Sequence, residues 1–154
     1  MSRLVVVVGN RLRGDDAAGA LVADAVRAAD IPVRVVEAAT NPLTILDAWG
    51  PEDTVFLVDA ALSGAPPGTI HEFTPDDAAL FPERPGGSTH GFGVATVVEL
   101  ARVLGHLPRT LVILGIEGAC FDLGAQPHPA VRGAAAIVAD RIAEAVGVAS
   151  RTRS

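Results

Sequence analysis

Apolar positions along this chain fall into short unbroken runs that alternate with stretches where they recur at helical spacing. "RLVVVV" (3–8) is a continuous β-branched run, the pattern of a central strand covered on both faces. After a short loop, Leu21, Val22, Ala25 and Val26 repeat at the spacing of a helix running from Ala17 to Ala29. "VRVVEA" (33–38), "TVFLVDA" (54–60) and "RTLVILGI" (109–116) read as further strands of the same kind. "APPGTIHEF" (65–73) has a Pro-Gly turn leading into an alternating strand, which suits a sheet edge. Helices are predicted over 41–49, with Asn41 as N-cap and Pro42 at the favoured first position, and over 94–105, closed by Gly105. A last helix spans 128–147 with Pro129 near its start, and "FPERPGGSTHGFG" (81–93) is too polar and broken to be anything but a loop.

Strands alternating with helices through crossover connections predict a three-layer α/β/α sandwich built on a mainly parallel five-stranded sheet. The hairpin-like passage through 61–69 adds one antiparallel edge strand. No repeat or internal boundary interrupts the pattern, so residues 1–149 are expected to form one domain, with "SRTRS" (150–154) as a frayed tail.

Composition narrows the picture. Across 154 residues, hydrophobic side chains make up 49% and charged ones 19%, with mean hydropathy +0.39, as a sheet buried on both faces requires. No apolar stretch approaches the roughly 20 residues of a bilayer span. The few apolar residues before Gly9 are too few for a secretory signal, so no membrane partner and a cytoplasmic location are expected. The single cysteine, Cys120, excludes an internal disulfide. A net charge of -6 argues against nucleic acid as a partner. The chain has no lysine.

In open α/β sheets ligands gather at the carboxyl ends of the strands, and several polar residues fall there. The loop after the first strand delivers Asp15 and Asp16, the third strand ends on Asp59, and the 81–93 loop carries His90. Two carboxylates and an imidazole make a mixed oxygen and nitrogen donor set for a divalent metal, with coordination positions left open. Asp15 or Asp16 also reads as a plain helix cap, and both roles fit together if one caps while the other faces the site. Asp59 is harder to explain away, because an acid on an otherwise apolar strand needs a ligand, a donor or a cleft. Glu117, ending the fifth strand, is placed to line the cleft. His71, His106 and His128 read as structural or exposed, and Cys120 as an inert thiol.

Two other functions use similar parts. Phosphoacceptor receiver domains combine an acidic pair after the first strand with an aspartate ending the third. They also need a lysine after the fifth, where this chain has "LGIEGA" and an acid. A dinucleotide site is excluded because "GNRLRGDDAAG" lacks the glycine fingerprint and sets acids where a pyrophosphate would sit.

Taken together, "VVVVGNRLRGDDAAGALVADAV", "VFLVDAALSGAPPGTIHEF", "STHGFGVATVVELARVLGHLP" and "VILGIEG" resemble the nickel–iron hydrogenase maturation endopeptidases over about residues 3–147. The resemblance implies a protease that removes the C-terminal peptide of a hydrogenase large-subunit precursor after nickel loading. It places the metal ligands on Asp16, Asp59 and His90, and implies that the divalent metal they meet is nickel presented by the substrate. Glu37 and Thr40, in "VVEAATNP", stand where members often have an acid followed by Gly-Gly-Thr, and with Glu117 they are candidates for substrate recognition. Ala38 and Ala39 replace both glycines, and two added Cβ atoms tighten a loop that a substrate backbone would otherwise approach closely. That departure motivates an alternative: a non-proteolytic, chaperone-like relative that docks on the same precursor. A monomer is expected, since a processing enzyme must open its cleft to a large folded substrate.

Overall fold

In the computed structural model the described residues are 2–38, 41–83 and 93–148. The chain runs β1 (Arg3–Val8), a 3-10 turn (Gly14–Ala17), α1 (Ala18–Ala28), β2 (Arg34–Ala38), α2 (Pro42–Asp47), β3 (Thr54–Ala61) and β4 (Ile70–Phe73). A second 3-10 turn (Ala78–Leu80), α3 (Val94–Val103), β5 (Thr110–Glu117) and α4 (Pro129–Ala145) complete it. The five strands form one sheet in the order β2-β1-β3-β5-β4. β1, β2, β3 and β5 are parallel, while β4 runs antiparallel to β5 at the edge, as the pattern predicts.

Because side chains alternate across a strand, each β-branched run feeds two cores at once. Val5, Val7, Phe56, Val58, Leu114 and Ile116 face α1 and α4. Leu4, Val6, Val55, Leu57, Leu111 and Ile113 face α2 and α3 on the other side. That two-sided burial makes three layers, and it explains the unbroken apolar strands. The buried Trp49 that follows α2 donates from Nε1 to the His106 carbonyl at 2.8 Å, and His106 Nε2 lies 2.8 Å from the Leu46 carbonyl. His106 is therefore structural, joining α2 to the end of α3.

Helix ends follow their sequence signals with one exception. Asn41 Oδ1 accepts from Leu43 N at 2.9 Å with Pro42 in the first turn, and His128 Nδ1 accepts from Ala130 N at 3.0 Å ahead of Pro129. After α3 the chain turns at Gly105 (φ +65), and His106 N reaches back to the Ala101 carbonyl at 2.8 Å. The exception is the acidic pair. The 3-10 turn and α1 have Arg13 and Ala17 as their N-caps, neither with a side-chain cap, so Asp15 and Asp16 do not cap the helix they precede. Both are buried and bonded elsewhere.

Candidate active site

Gly9 ends β1 at φ +124, a conformation that favours glycine, and a Cβ there would collide with the Asp16 carbonyl oxygen. The chain folds tightly from that point. Asn10 N donates to Asp16 Oδ2 at 2.8 Å, Asn10 Oδ1 accepts from Leu12 N at 2.8 Å, and Asp16 N returns to the Arg13 carbonyl at 3.0 Å. The result is a closed loop that holds the Asp16 carboxylate in a fixed place on the carboxyl edge of the sheet.

Asp59 reaches the same edge from β3. By strand alternation it lies on the α2/α3 face with Val55 and Leu57, and it lines a narrow crevice with Val8, Ile45, Gly93, Val94 and Val97. Its Oδ1 accepts from Ala60 N at 2.8 Å. In register it sits opposite Gly115 of β5. The 3-10 turn that carries Asp16 packs against β3, so the two acids approach one edge from neighbouring strands. His90 and Thr40 lie outside the described residues. Among the described residues no group of three side chains is assembled to hold a metal.

Asp15 does something the sequence did not suggest. It is 1% exposed and points across to the segment that joins β5 to α4. Its Oδ2 accepts from Ala119 N (2.7 Å) and Cys120 N (3.1 Å), and its Oδ1 from His128 N (2.7 Å). Its own amide donates to the Cys120 carbonyl at 2.8 Å. Three amide donors satisfy a carboxylate that would otherwise be costly to bury. One acid of the pair thus staples two loops while the other is left at the edge.

Glu117 is 0% exposed, and Ser63 N (2.8 Å), Ser63 Oγ (2.7 Å), Gly64 N (3.2 Å) and His71 Nε2 (3.0 Å) surround its carboxylate. Burial works to raise this carboxyl, but the Ser63, His71 and Gly64 contacts outweigh it and hold it below the ordinary glutamate range. Glu117 was expected to meet a substrate. A side chain without exposure has no surface to offer one, and instead it anchors the turn between β3 and β4. His71 is its partner, the structural role expected of it. Ser63 Oγ donates to this carboxylate and accepts from Ala65 N at 3.3 Å, so its hydroxyl is part of the same turn.

Glu37 stands at the surface end of β2 in a charge network. Arg11 bridges Glu37 (Nε to Oε1, 2.9 Å) and Asp24 of α1 (2.9 and 3.0 Å), and Arg27 also bonds Glu37 at 2.8 Å. Arg27 does most to hold the Glu37 carboxyl below its usual range, and Arg11 does the same for Asp24. Ala38 next to it is buried in the α2/α3 core, so its methyl serves packing. Glu83 is a further carboxylate the sequence left unmarked. Its Oε1 accepts from Ala95 N at 3.1 Å at the start of α3, and a Cβ on Gly93 would strike it. Burial pushes the Glu83 carboxyl up, against the pull of the Ala95 and Val94 amides.

Comparison with known proteins bears on the family and the fold. Residues 21–145 match the family described as hydrogenase maturation protease. The chain is 26% identical over 133 residues to the hydrogenase expression/formation protein HupD of Thiocapsa roseopersicina, covering 84% of this chain and 60% of that protein. It therefore spans about three fifths of that relative's length. Among solved structures, the [NiFe] hydrogenase maturation protease HycI of Thermococcus kodakarensis is 26% identical with a TM-score of 0.67, covering 93% of this chain and 91% of that one. The hydrogenase maturating endopeptidase HybD of Escherichia coli shares the fold at a TM-score of 0.75 over 100% of both chains, with 24% identity.

Proposed function

The chain belongs to the hydrogenase maturation protease family, and on that premise we propose that it is an endopeptidase that removes the C-terminal peptide of a nickel–iron hydrogenase large-subunit precursor. The observation that supports this reading is that the loop after β1 carries Asp16, and the neighbouring strand β3 carries Asp59, toward the carboxyl edge of one sheet. Two carboxylates with hard oxygen donors suit a divalent cation that keeps other ligands from a partner. His90 supplies the third donor, an imidazole nitrogen, and nickel inserted in the precursor is the metal that the trio meets.

In this reading nickel is part of the substrate, and the protein senses it before cutting. Asp16 and Asp59 orient the loaded centre, and the rigid edge presents the adjoining backbone for hydrolysis. Support for a protease over a passive binder comes from Ala38, whose methyl is buried in the core instead of crowding an approaching backbone.

Nickel-loaded and nickel-free precursor, incubated separately with the protein and weighed by mass spectrometry, test the proposal. Loss of a C-terminal peptide from the loaded form alone is expected. A loaded precursor that binds and keeps its full mass would contradict proteolysis and support the docking alternative.

A further inference from the structure

We infer that Glu83 is a positioning residue for the cleavage reaction: it ties the start of α3 to the end of β3 and so sets the crevice in which Asp59 stands. This rests on the endopeptidase reading and adds to it a side chain that acts through another residue, not on the substrate.

Asp59 shares its crevice with Gly93 and Val94, the N-cap and first residue of α3, so the placement of that helix start decides how much room the carboxylate has. The helix does not cap itself. Gly93 has no side chain to satisfy the first amides, which a helix of this kind leaves open. Glu83 supplies the missing cap from the segment that follows the second 3-10 turn. Its Oε1 accepts from Ala95 N at 3.1 Å, Val94 N is a second donor, and the carboxylate occupies the place where a Cβ on Gly93 would stand. The Gly93 backbone is extended (φ -91, ψ -175) and open to any residue, so what a larger side chain would displace there is the Glu83 carboxylate.

Glu83 can hold the helix because its own segment is held. The Pro82 carbonyl accepts from Leu62 N at 2.9 Å, just past the end of β3. The buried Phe81 ring lies against Gly115, 3.0 Å from where a Cβ would be, and packs on Phe73 with ring centroids 5.5 Å apart. Gly115 is the register partner of Asp59. Residues 81–83 therefore form a strap that leaves the sheet beside Asp59 and ends in a bond to α3. A serine at position 93 would cap the helix just as well, but without any tie to the sheet. A cap delivered through the strap couples the helix start to β3, and a reacting group misplaced by about 1 Å can cost about 100-fold in rate.

The test is steady-state processing of nickel-loaded precursor by Glu83→Ala, Glu83→Gln, Glu83→Asp and the double variant Glu83→Ala with Gly93→Ser, with unfolding midpoints measured alongside. Glu83→Ala is expected to lower kcat about tenfold or more while KM stays within about threefold. Glu83→Gln keeps both the reach and the acceptor oxygen, and should hold kcat within about threefold of wild type. Glu83→Asp is too short to reach the Ala95 amide from the strap and should lose kcat as Glu83→Ala does. In the double variant the serine hydroxyl caps α3 in the space the carboxylate leaves, so the midpoint should recover while kcat stays low. Recovery of kcat together with the midpoint would overturn the inference, because Glu83 would then be a cap and nothing more. Wild-type kcat in Glu83→Ala or Glu83→Asp would overturn it too, and leave the protease reading standing. If Glu83→Ala does not fold, the contrast between the glutamine and aspartate variants decides, and an aspartate variant as active as the glutamine one refutes the need for reach. If the wild-type protein does not cut the precursor, the endopeptidase reading falls and this inference with it.

Discussion

Asp15 and Glu117 are both withdrawn from water, and donors from distant parts of the chain converge on each. Glu117 receives donors from Ser63, Gly64 and His71, while Asp15 receives only main-chain amides. The consequence for stability can be signed. A carboxyl held below its ordinary range stabilises the fold at pH values above that range, and the contribution disappears as pH falls through the lowered value. Glu117→Gln should therefore destabilise the protein at neutral pH by about 1–3 kcal/mol, since an amide cannot accept every donor now pointing at it. The gap between variant and wild type should narrow in urea melts taken at progressively lower pH below the glutamate range. A gap that widens on acidification would mean that Glu117 is not held ionised.

At the scale of elements, the sheet edge is arranged by loops that are themselves pinned. The loop after β1 is closed by Asn10, tied to the β5–α4 connection by Asp15, and tied to β2 and α1 through Arg11. The last tie is exposed, and exposed ion pairs contribute little. Arg11→Ala should cost less than about 1 kcal/mol in denaturant melts. A larger loss would show that the network supports the loop more than its solvent exposure suggests. What could be read from sequence divides along similar lines. The strands were legible because β-branched runs of this kind fit only a sheet covered on both faces, and Asp59 because an acid in such a run demands a reason. Asn41 and Pro129 announced their helices by local chemistry. Asp15 was misread as a possible cap because its partners are amides more than a hundred positions away, and amides leave no mark in a sequence. Glu117 was misread because its partners, Ser63, Gly64 and His71, lie 46 to 54 positions away, and Glu83 was passed over because the α3 amide it meets lies 12 positions further along the chain.

Across the whole molecule, parallel strands deliver Asp16 and Asp59 to one edge, while the two helical layers bury everything needed to keep that edge rigid. The division within "GDD" follows from this plan: Asp15 joins the β1–α1 loop to the β5–α4 connection, while the Asp16 carboxylate accepts from Asn10 N at the sheet edge. The most direct test of the account is the C-terminal mass of nickel-loaded precursor after incubation with Asp16→Asn, Asp59→Asn or His90→Ala. Each variant is predicted to remain folded and to leave the precursor uncut, whereas the wild-type protein shortens it. Full processing by any one of the three would contradict the shared site.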